Sequence, residues 1–239
     1  MAEAVLSSRP LRERLALALD VPDLSSARAL TGALAPWFAV VKVGLELYVA
    51  EGPAAVAAFI EDGFDVFVDL KLHDIPTTVR RAARAIARTG ARYATVHAVG
   101  GARMLAAAAE GFAEGAAELG RAGRTIGLAV TVLTSEADAS PALVAGRCEL
   151  AASAGLGGVI CAVADVAVVR AAVPGMIIVV PGVRPQGVGR DDQSRAGTPQ
   201  EALIAGADLL VIGRAVTRAG DPVAAARELS EALQSVTPR

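Results

Sequence analysis

Short apolar runs rich in Val, Ile and Leu alternate with Ala-rich segments along the whole chain, and this alternation limits the possible folds more than any other feature. Eight of the runs predict strands, and the segments between them have room for helices. The predicted strands are Leu15–Asp20, Ala39–Val43, Asp65–Lys71, Tyr93–His97, Thr125–Val132, Gly158–Cys161, Ile177–Val180 and Leu209–Ile212. Strands that alternate with helices usually pair in parallel through right-handed crossovers. We therefore expect an α/β protein with the (β/α)8 TIM barrel fold, and a doubly wound open sheet is the alternative.

The length of the chain agrees with one such barrel. It has 239 residues, close to the roughly 250 residues typical of a single-domain α/β barrel. No change in composition divides it, so we expect one domain over residues 1–239, in which residues 1–13 form a flexible N-terminal extension. Apolar residues make up 54% of the chain but aromatic residues only 3%, which suits small helices packed on β-branched strands.

Charge and hydropathy disfavour several classes of partner. The net charge of −2 gives no reason to expect a nucleic-acid or membrane surface. The first ten residues lack the apolar core of a signal peptide, and no apolar stretch reaches the roughly 18 residues of a membrane span. Cys148 and Cys161 lack metal-ligand spacing, and Cys161 is interpreted as a small core residue. We expect a cytoplasmic protein.

Polar side chains fall at or just beyond the ends of the predicted strands. The set comprises Asp20, Lys42, Asp69, Lys71, His97, Thr134, Arg184 and Arg214, the last of which follows Gly213 directly. Because α/β barrels build their active sites at the carboxyl ends of the strands, this distribution predicts a site there. The long polar segment 182–197 is punctuated by Gly and Pro, and it is expected to close over a ligand.

The segment Asp69-Leu-Lys-Leu-His-Asp-Ile-Pro-Thr-Thr78 is the strongest indication of chemistry. Asp69 and Lys71 share one face of a strand because they are two residues apart, and Asp74 follows at the turn. With Lys42 they would form a cluster of alternating charge, in which each lysine has a carboxylate neighbour that favours its charged form. A protonated lysine there could act as a general acid. A purely structural ion-pair network is less favoured, because buried charges rarely stabilise a fold on balance.

The segment Ile212-Gly-Arg214 predicts a phosphate site. Backbone N–H groups at the start of the following helix, together with Arg214, would bind a phosphate, and such sites recur after strands seven and eight of these barrels. Alternatively, Gly213 is small only to let the helix pack on the strand. Pro181-Gly-Val-Arg184 and Gln193 could complete the site.

The remaining polar residues carry weaker signals. Asp20 is either a turn residue or a carboxylate that binds ribose hydroxyls. His73 and His97 are interpreted as supporting residues that pack or form hydrogen bonds. Two histidines and scattered carboxylates do not predict a metal site.

Taken together, these motifs resemble the bacterial orotidine 5′-monophosphate decarboxylase family over nearly the whole chain. Eight segments carry the resemblance in the right order: Leu17-Ala-Leu-Asp20, Val41-Lys-Val-Gly44, Asp69-Leu-Lys-Leu-His-Asp-Ile-Pro76, Val96-His-Ala-Val-Gly-Gly101, Thr131-Val-Leu-Thr-Ser135, Pro181-Gly-Val-Arg184, Asp191-Asp-Gln193 and Ile212-Gly-Arg214. The charged motif is highly specific, whereas the glycine pairs are not. Thr77 departs from the pattern, since bacterial members often have Asn there.

The resemblance implies a (β/α)8 homodimer that converts orotidine 5′-monophosphate to UMP and carbon dioxide in pyrimidine biosynthesis, without a metal or an organic cofactor. Lys71 would donate a proton to C6 of the pyrimidine. Asp69 would lie beside the departing carboxylate. Lys42 would support the charged cluster and contact the ribose, which Asp20 would also bind.

The resemblance also assigns the remaining contacts. Asp74 and Thr78 would reach across the dimer interface into the partner's site, and the neighbouring Ile75 would contact the substrate. Thr134 would contact the base. The phosphate would be bound by a set from two loops, namely Arg184, Gln193, Gly213 and Arg214.

Two other functions are alternatives for a chain with this pattern. Sugar-phosphate lyases that resemble 3-keto-gulonate 6-phosphate decarboxylase share the Asp-x-Lys-x-x-Asp pattern, but they use magnesium with an acidic residue at the end of strand two. Here that position is Lys42, a cation where a metal ligand would be needed. A non-catalytic phosphoribosyl-binding barrel would be expected to lose part of the charged set, and none of it is missing.

Overall fold

Eight parallel strands close into a barrel in the computed structural model, which describes residues 9–120, 125–133, 135–136, 139–183 and 197–236. The strands follow one another around the barrel in chain order, and the first pairs with the last. They are β1 (Leu15–Ala18), β2 (Val40–Val43), β3 (Asp65–Leu72), β4 (Tyr93–His97), β5 (Ile126–Val130), β6 (Gly158–Ile160), β7 (Ile177–Val180) and β8 (Leu209–Ile212). The predicted (β/α)8 barrel is confirmed.

Helices cover the outside of the barrel between successive strands. In the described part of the chain they are α1 (Leu24–Leu34), α2 (Leu45–Glu51), α3 (Pro53–Glu61), α4 (Pro76–Arg88), α5 (Gly101–Glu118), α6 (Pro141–Ser153), α7 (Val166–Ala172), α8 (Pro199–Ile204), α9 (Arg214–Thr217) and α10 (Pro222–Gln234). Many begin with proline, whose fixed φ suits the first helical turn. None of the helices in these ranges combines the length and hydropathy that a membrane crossing requires.

The core has two layers because side chains alternate between the two faces of each strand. One layer fills the barrel interior and includes Phe67 and Tyr93, whose rings meet edge to face with centroids 6.1 Å apart. The other layer lies between strands and helices and is mostly Val, Leu and Ala. Cys161 is fully buried in this outer layer, as expected of a small core residue.

Buried polar contacts close the amino-terminal end of the barrel. Arg14, 6% exposed, is the last residue of the 3-10 helix Leu11–Arg14 before β1, and it donates to the carbonyl oxygens of Ala207 and Asp208. Asp208 pairs with Arg170 at 2.6 Å. The expected flexible extension does not include residues 11–13, which belong to this helix; residues 1–8 lie outside the described residues.

Candidate active site

Four charged side chains form a continuous row at the carboxyl ends of the first three strands. The ammonium of Lys42 lies 3.4 Å from Oδ1 of Asp20 and 3.5 Å from Oδ2 of Asp69. Oδ1 of Asp69 lies 2.9 Å from the ammonium of Lys71. Positive and negative groups therefore alternate, and Asp69 is shared by both lysines.

The alternation of strand side chains places these residues in the barrel mouth. Val40 and Phe67 belong to the interior layer, and Lys42 and Asp69 follow them by two residues on the same face. Asp20 stands two residues beyond Ala18, the last paired residue of β1. In each of the first three strands, an apolar interior residue is thus followed by a charged residue at the open end.

Asp74 does not belong to this row, contrary to what the residue pattern predicted. Its side chain is exposed, and its Oδ1 accepts a hydrogen bond from the backbone N–H of Ile75 at 2.6 Å. Among the described residues, no ion pair of Asp74 is observed. The chain turns into α4 at this point, and Asp74 is not among the residues that line the cavity. Asp20 takes the fourth place in the row.

Burial and charge act in opposite directions on Asp69. Burial raises the pKa of its carboxyl, but the charges of Lys42 and Lys71 and the hydrogen bonds from Lys71 and Thr95 outweigh burial, so the pKa is held below its ordinary value. Only 12% of the Asp69 side chain is exposed, against 32% for Lys71. Asp69 therefore remains ionised at neutral pH as the central anion of the row.

The backbone of β3 is irregular where it carries Asp69 and Lys71. Val68 pairs with Ala94 and Leu72 with Val96, so three residues of β3 face one residue, Thr95, on β4. Lys71 has φ = +52°, a left-handed conformation that costs a non-glycine residue about 1–2 kcal/mol. The backbone N–H of Lys71 donates to Oγ1 of Thr95 at 2.8 Å. Strain of this kind persists only where surrounding contacts impose it.

A cavity of about 220 Å³ opens beside the charged row. Its opposite wall is apolar, and a third side is formed by the chain after β7 and β8. The apolar residues are Ala18, Phe67, Val130, Val132, Leu133, Ile160 and Val211, and the third side has Pro181, Gly182, Gly213 and Arg214. A ligand in this cavity would meet ammonium and carboxylate groups on one side and a dry surface on the other.

Two glycines at the rim have different reasons to be small. A Cβ on Gly44 would lie 3.0 Å from the Lys42 ammonium and 3.2 Å from the Asp20 carboxylate, so the side chain's absence makes room for this ion pair. Gly44 is not among the residues predicted for the site. A Cβ on Gly213 would meet Ala18 at an ordinary 3.6 Å, which does not support the alternative that Gly213 is small only for packing.

The two histidines lie next to each other outside the cavity lining. Their ring centroids are 5.6 Å apart, and the His73 side chain is exposed, whereas His97 is partly buried. Burial, followed by the electrostatic interactions with His73 and Lys71, lowers the pKa of His97 and favours its neutral form. The arrangement is compatible with the supporting roles predicted for both residues.

The other predicted contacts lie elsewhere or outside the described residues. Ile75 and Thr78 are exposed at the start of α4, away from the cavity of their own chain. Thr134, Arg184 and Gln193 fall outside the described residues, so their contacts stay predictions. Within the described ranges, no group of three or more His, Cys, Asp or Glu side chains could hold a metal ion.

The chain is similar to known proteins in sequence and in fold. The family model described as "Orotidine 5'-phosphate decarboxylase / HUMPS family" matches residues 13–229. The chain belongs to this family. It is 48% identical over 232 residues to the orotidine 5′-phosphate decarboxylase of Anaeromyxobacter sp. (strain K), covering 92% of this chain and 98% of the relative. It is 46% identical to that of Moorella thermoacetica, covering 94% of each.

Two solved structures support the same fold. The crystal structure of orotidine 5′-phosphate decarboxylase from Lactobacillus acidophilus superposes with a TM-score of 0.77 at 31% identity, over 92% of this chain and 98% of that one. An uncharacterized conserved protein from Geobacillus kaustophilus gives 0.76 at 36% identity, over 91% and 98%.

One signal in the composition points to the same residues as the family motif. The chain has 21 arginines but only two lysines, Lys42 and Lys71, and both lie in the row. Arginine keeps its proton in proteins, whereas lysine is a compact cation that can release it. The chain therefore places its only two side-chain amines where a transferable proton would be useful.

Proposed function

We propose that this chain decarboxylates orotidine 5′-monophosphate to UMP and carbon dioxide, in de novo pyrimidine biosynthesis. The observation that carries the proposal is the row Asp20–Lys42–Asp69–Lys71 beside an apolar wall. This row stands in a chain that is 46–48% identical, almost end to end, to orotidine 5′-phosphate decarboxylases.

The chemistry requires positive charge at one carbon of the pyrimidine. When the bond between C6 and the carboxylate breaks, carbon dioxide leaves and the electron pair stays on C6, where no ring carbonyl can accept it as a simple enolate. Lys71 stabilises this carbanion electrostatically and then donates a proton from its ammonium to C6, which yields UMP. Solvent returns a proton to the Lys71 amine before the next turnover.

Asp69 and Lys42 prepare Lys71 for this step. Asp69, ionised and 2.9 Å from Lys71, pairs with the ammonium of the lysine and orients it. It also lies beside the departing carboxylate, where repulsion between the two anions is relieved as carbon dioxide forms. Lys42 stabilises the negative charge of Asp69 by pairing with Oδ2, the carboxylate oxygen that Lys71 does not contact.

The ribose and the phosphate of the nucleotide bind at two other places in the cavity. The Asp20 carboxylate, 58% exposed, accepts hydrogen bonds from ribose hydroxyls, and Lys42 contacts the ribose as well. The phosphate binds at Gly213 and Arg214, with Arg184 and Gln193. Because α9 has only four residues, the guanidinium rather than a helix dipole supplies most of the positive charge.

We also propose that the enzyme is a homodimer in which each site receives residues from the partner. Four large apolar side chains are exposed around the carboxyl ends of β2, β3 and β4: Leu45 at 57%, Val49 at 80%, Ile75 at 67% and Val99 at 55%. Such a group of exposed apolar side chains is typical of an interface. A second copy is the occupant that accounts for Asp74 and Thr78, which are exposed beside this patch and do not line the cavity of their own chain.

The donor set disfavours the magnesium-dependent sugar-phosphate lyase. Lys42 would place an ammonium within the row of carboxylates where that chemistry needs a metal ligand. A magnesium ion between Asp20 and Asp69 would have to displace this ammonium.

One assay tests the proposed activity. Purified protein is mixed with orotidine 5′-monophosphate in the presence of EDTA, and the loss of the orotate absorbance is followed. We expect turnover that EDTA does not change, with UMP and carbon dioxide formed in equal amounts. No loss of absorbance would refute the proposal, and turnover that disappears with EDTA and returns with magnesium would contradict the metal-free mechanism.

A further inference from the structure

The side chain of Thr95 links the backbone of Lys71 to the carboxylate of Asp69. Its Oγ1 accepts a hydrogen bond from the Lys71 backbone N–H at 2.8 Å and donates one to Oδ1 of Asp69 at 3.1 Å. The same Oδ1 accepts from the Lys71 ammonium at 2.9 Å. Lys71 is therefore held at both its backbone and its side chain within one closed ring of hydrogen bonds.

The hydroxyl is suited to both contacts at once. It has a single proton, and accepting from Lys71 leaves that proton available for Asp69. Thr95 is 1% exposed, so water does not compete for either contact. It is not part of the cavity lining, and hence it acts through other residues.

The irregularity of β3 explains why a side chain is needed there. Three residues of β3 stand opposite Thr95, and regular pairing resumes only at Leu72. The N–H of Lys71, at φ = +52°, has turned out of the strand ladder and bonds to the Thr95 hydroxyl instead of to a backbone carbonyl. A left-handed conformation at a residue other than glycine needs such a partner, since the backbone alone disfavours it.

We propose that Thr95 is a positioning residue for the reaction: its hydroxyl holds Lys71 in the left-handed backbone conformation and fixes Asp69, so that the ammonium points to C6. This inference rests on the proposed role of Lys71. Without the hydroxyl, Lys71 relaxes toward an ordinary conformation, and its ammonium leaves the position required for proton transfer. Nucleotide binding through the phosphate and ribose is unaffected.

The test compares Thr95→Ala with Thr95→Ser. Both variants lose the methyl group, and they differ only in the hydroxyl. We expect Thr95→Ala to lower kcat on the order of tenfold or more, with the KM for orotidine 5′-monophosphate and the affinity for UMP within about twofold of wild type. Thr95→Ser should keep kcat within about threefold of wild type.

Thr31→Val serves as the control for loss of a buried hydroxyl. Thr31 is 2% exposed and donates to the carbonyl oxygen of Arg28 within α1, on the outside of the barrel. We expect this variant to keep kcat and KM. Melting temperatures of all three variants show whether each is folded under the assay conditions.

The outcomes separate this inference from the proposed function. Equal kcat values for Thr95→Ala and Thr95→Ser would overturn the positioning role, as would an effect on KM alone. An inactive Lys71→Ala together with a fully active Thr95→Ala would leave the proposed function intact and remove only the role of Thr95. A fully active Lys71→Ala would refute the assignment of the proton donor itself.

Discussion

The ammonium of Lys71 and the carboxylate of Asp69 lie 2.9 Å apart although the two residues are separated by a single residue in the chain. The proposed proton donor therefore receives its counter-ion from its own strand, before any substrate is bound. Lys42 balances the other oxygen of Asp69 at 3.5 Å. The charged row therefore forms within a single chain, and substitutions can test the role of each of its side chains separately.

Lys71→Ala should abolish turnover and leave UMP binding measurable. The variant loses both the charge that stabilises the carbanion and the proton that C6 receives, and we expect kcat to fall by a factor on the order of 10³ or more, at least about 4 kcal/mol. Single-turnover assays and UMP titrations measure the two effects. Arg227→Ala, which removes an exposed cation from α10, should behave as wild type. Activity within about tenfold of wild type would rule out the assigned role.

Arg214→Ala should lower kcat/KM for orotidine 5′-monophosphate by a factor on the order of 10² to 10³, because it removes a charge-assisted contact to the phosphate. With orotidine, which has no phosphate, the variant and wild type should give the same kcat/KM. Arg218→Ala, an exposed arginine one turn away, is the matched control. An unchanged kcat/KM for the nucleotide would contradict the placement of the phosphate.

Shared sites can be detected by mixing two inactive variants, Lys71→Ala and Asp74→Ala. If Asp74 serves the partner's site, a hybrid dimer has one site with both defects and one intact site. Random assortment after joint refolding then restores about a quarter of wild-type activity, since half of the dimers are hybrids and half of their sites are intact. If Asp74 served its own site, the mixture would remain inactive.

Introducing a charged side chain into the apolar patch tests whether the patch forms the dimer interface. Val49→Glu should shift the protein toward monomer in sedimentation equilibrium, because an unpaired carboxylate would be buried at the interface. Leu119→Glu is the control: Leu119 is 42% exposed and follows α5 at the other end of the barrel. If both variants self-associate as strongly as the wild-type protein does, the interface lies elsewhere.

Close packing of α4 on α5 predicts a stability difference between two glycines. A Cβ on Gly115 would fall on the backbone carbonyl oxygen of Arg84, whereas a Cβ on Gly146 in α6 would have no neighbour within 4 Å. We expect Gly115→Ala to destabilise the fold by about 1–3 kcal/mol through overpacking. Gly146→Ala should stabilise it by about 0.5–1 kcal/mol, since alanine is the better helix former. Urea unfolding measures both changes, and equal effects would contradict the packing argument.

The sequence predicts much of the scaffold because strand and helix periods alternate clearly in it. The predicted bounds of β4, β7 and β8 coincide with the observed strands. β1 and β5 end two residues earlier than predicted. The predicted strands extend to Asp20 and Val132 because the residue pattern does not show where backbone pairing with the neighbouring strands stops. The cytoplasmic location stays a prediction.

The site could be predicted only in part, because some of its contacts depend on register. Lys42, Asp69 and Lys71 follow from side-chain alternation on neighbouring strands. Thr95 does not, because its role arises from the irregular pairing of β3 with β4, which leaves no mark on an isolated threonine. The prediction that Asp74 belongs to the row is wrong, because spacing along a strand does not determine how the chain turns into α4.

The scarcity of lysine has a practical consequence for spectroscopy. With Lys42 and Lys71 as the only lysines, uniform labelling with [15N]lysine gives a protein whose side-chain ammonium resonances both come from the same cavity. Their exchange with solvent and their chemical shifts can be followed without assignment of the other residues. The two ammonium groups thus report directly on the active site, and the protonation of each amine can be observed while nucleotides bind and dissociate.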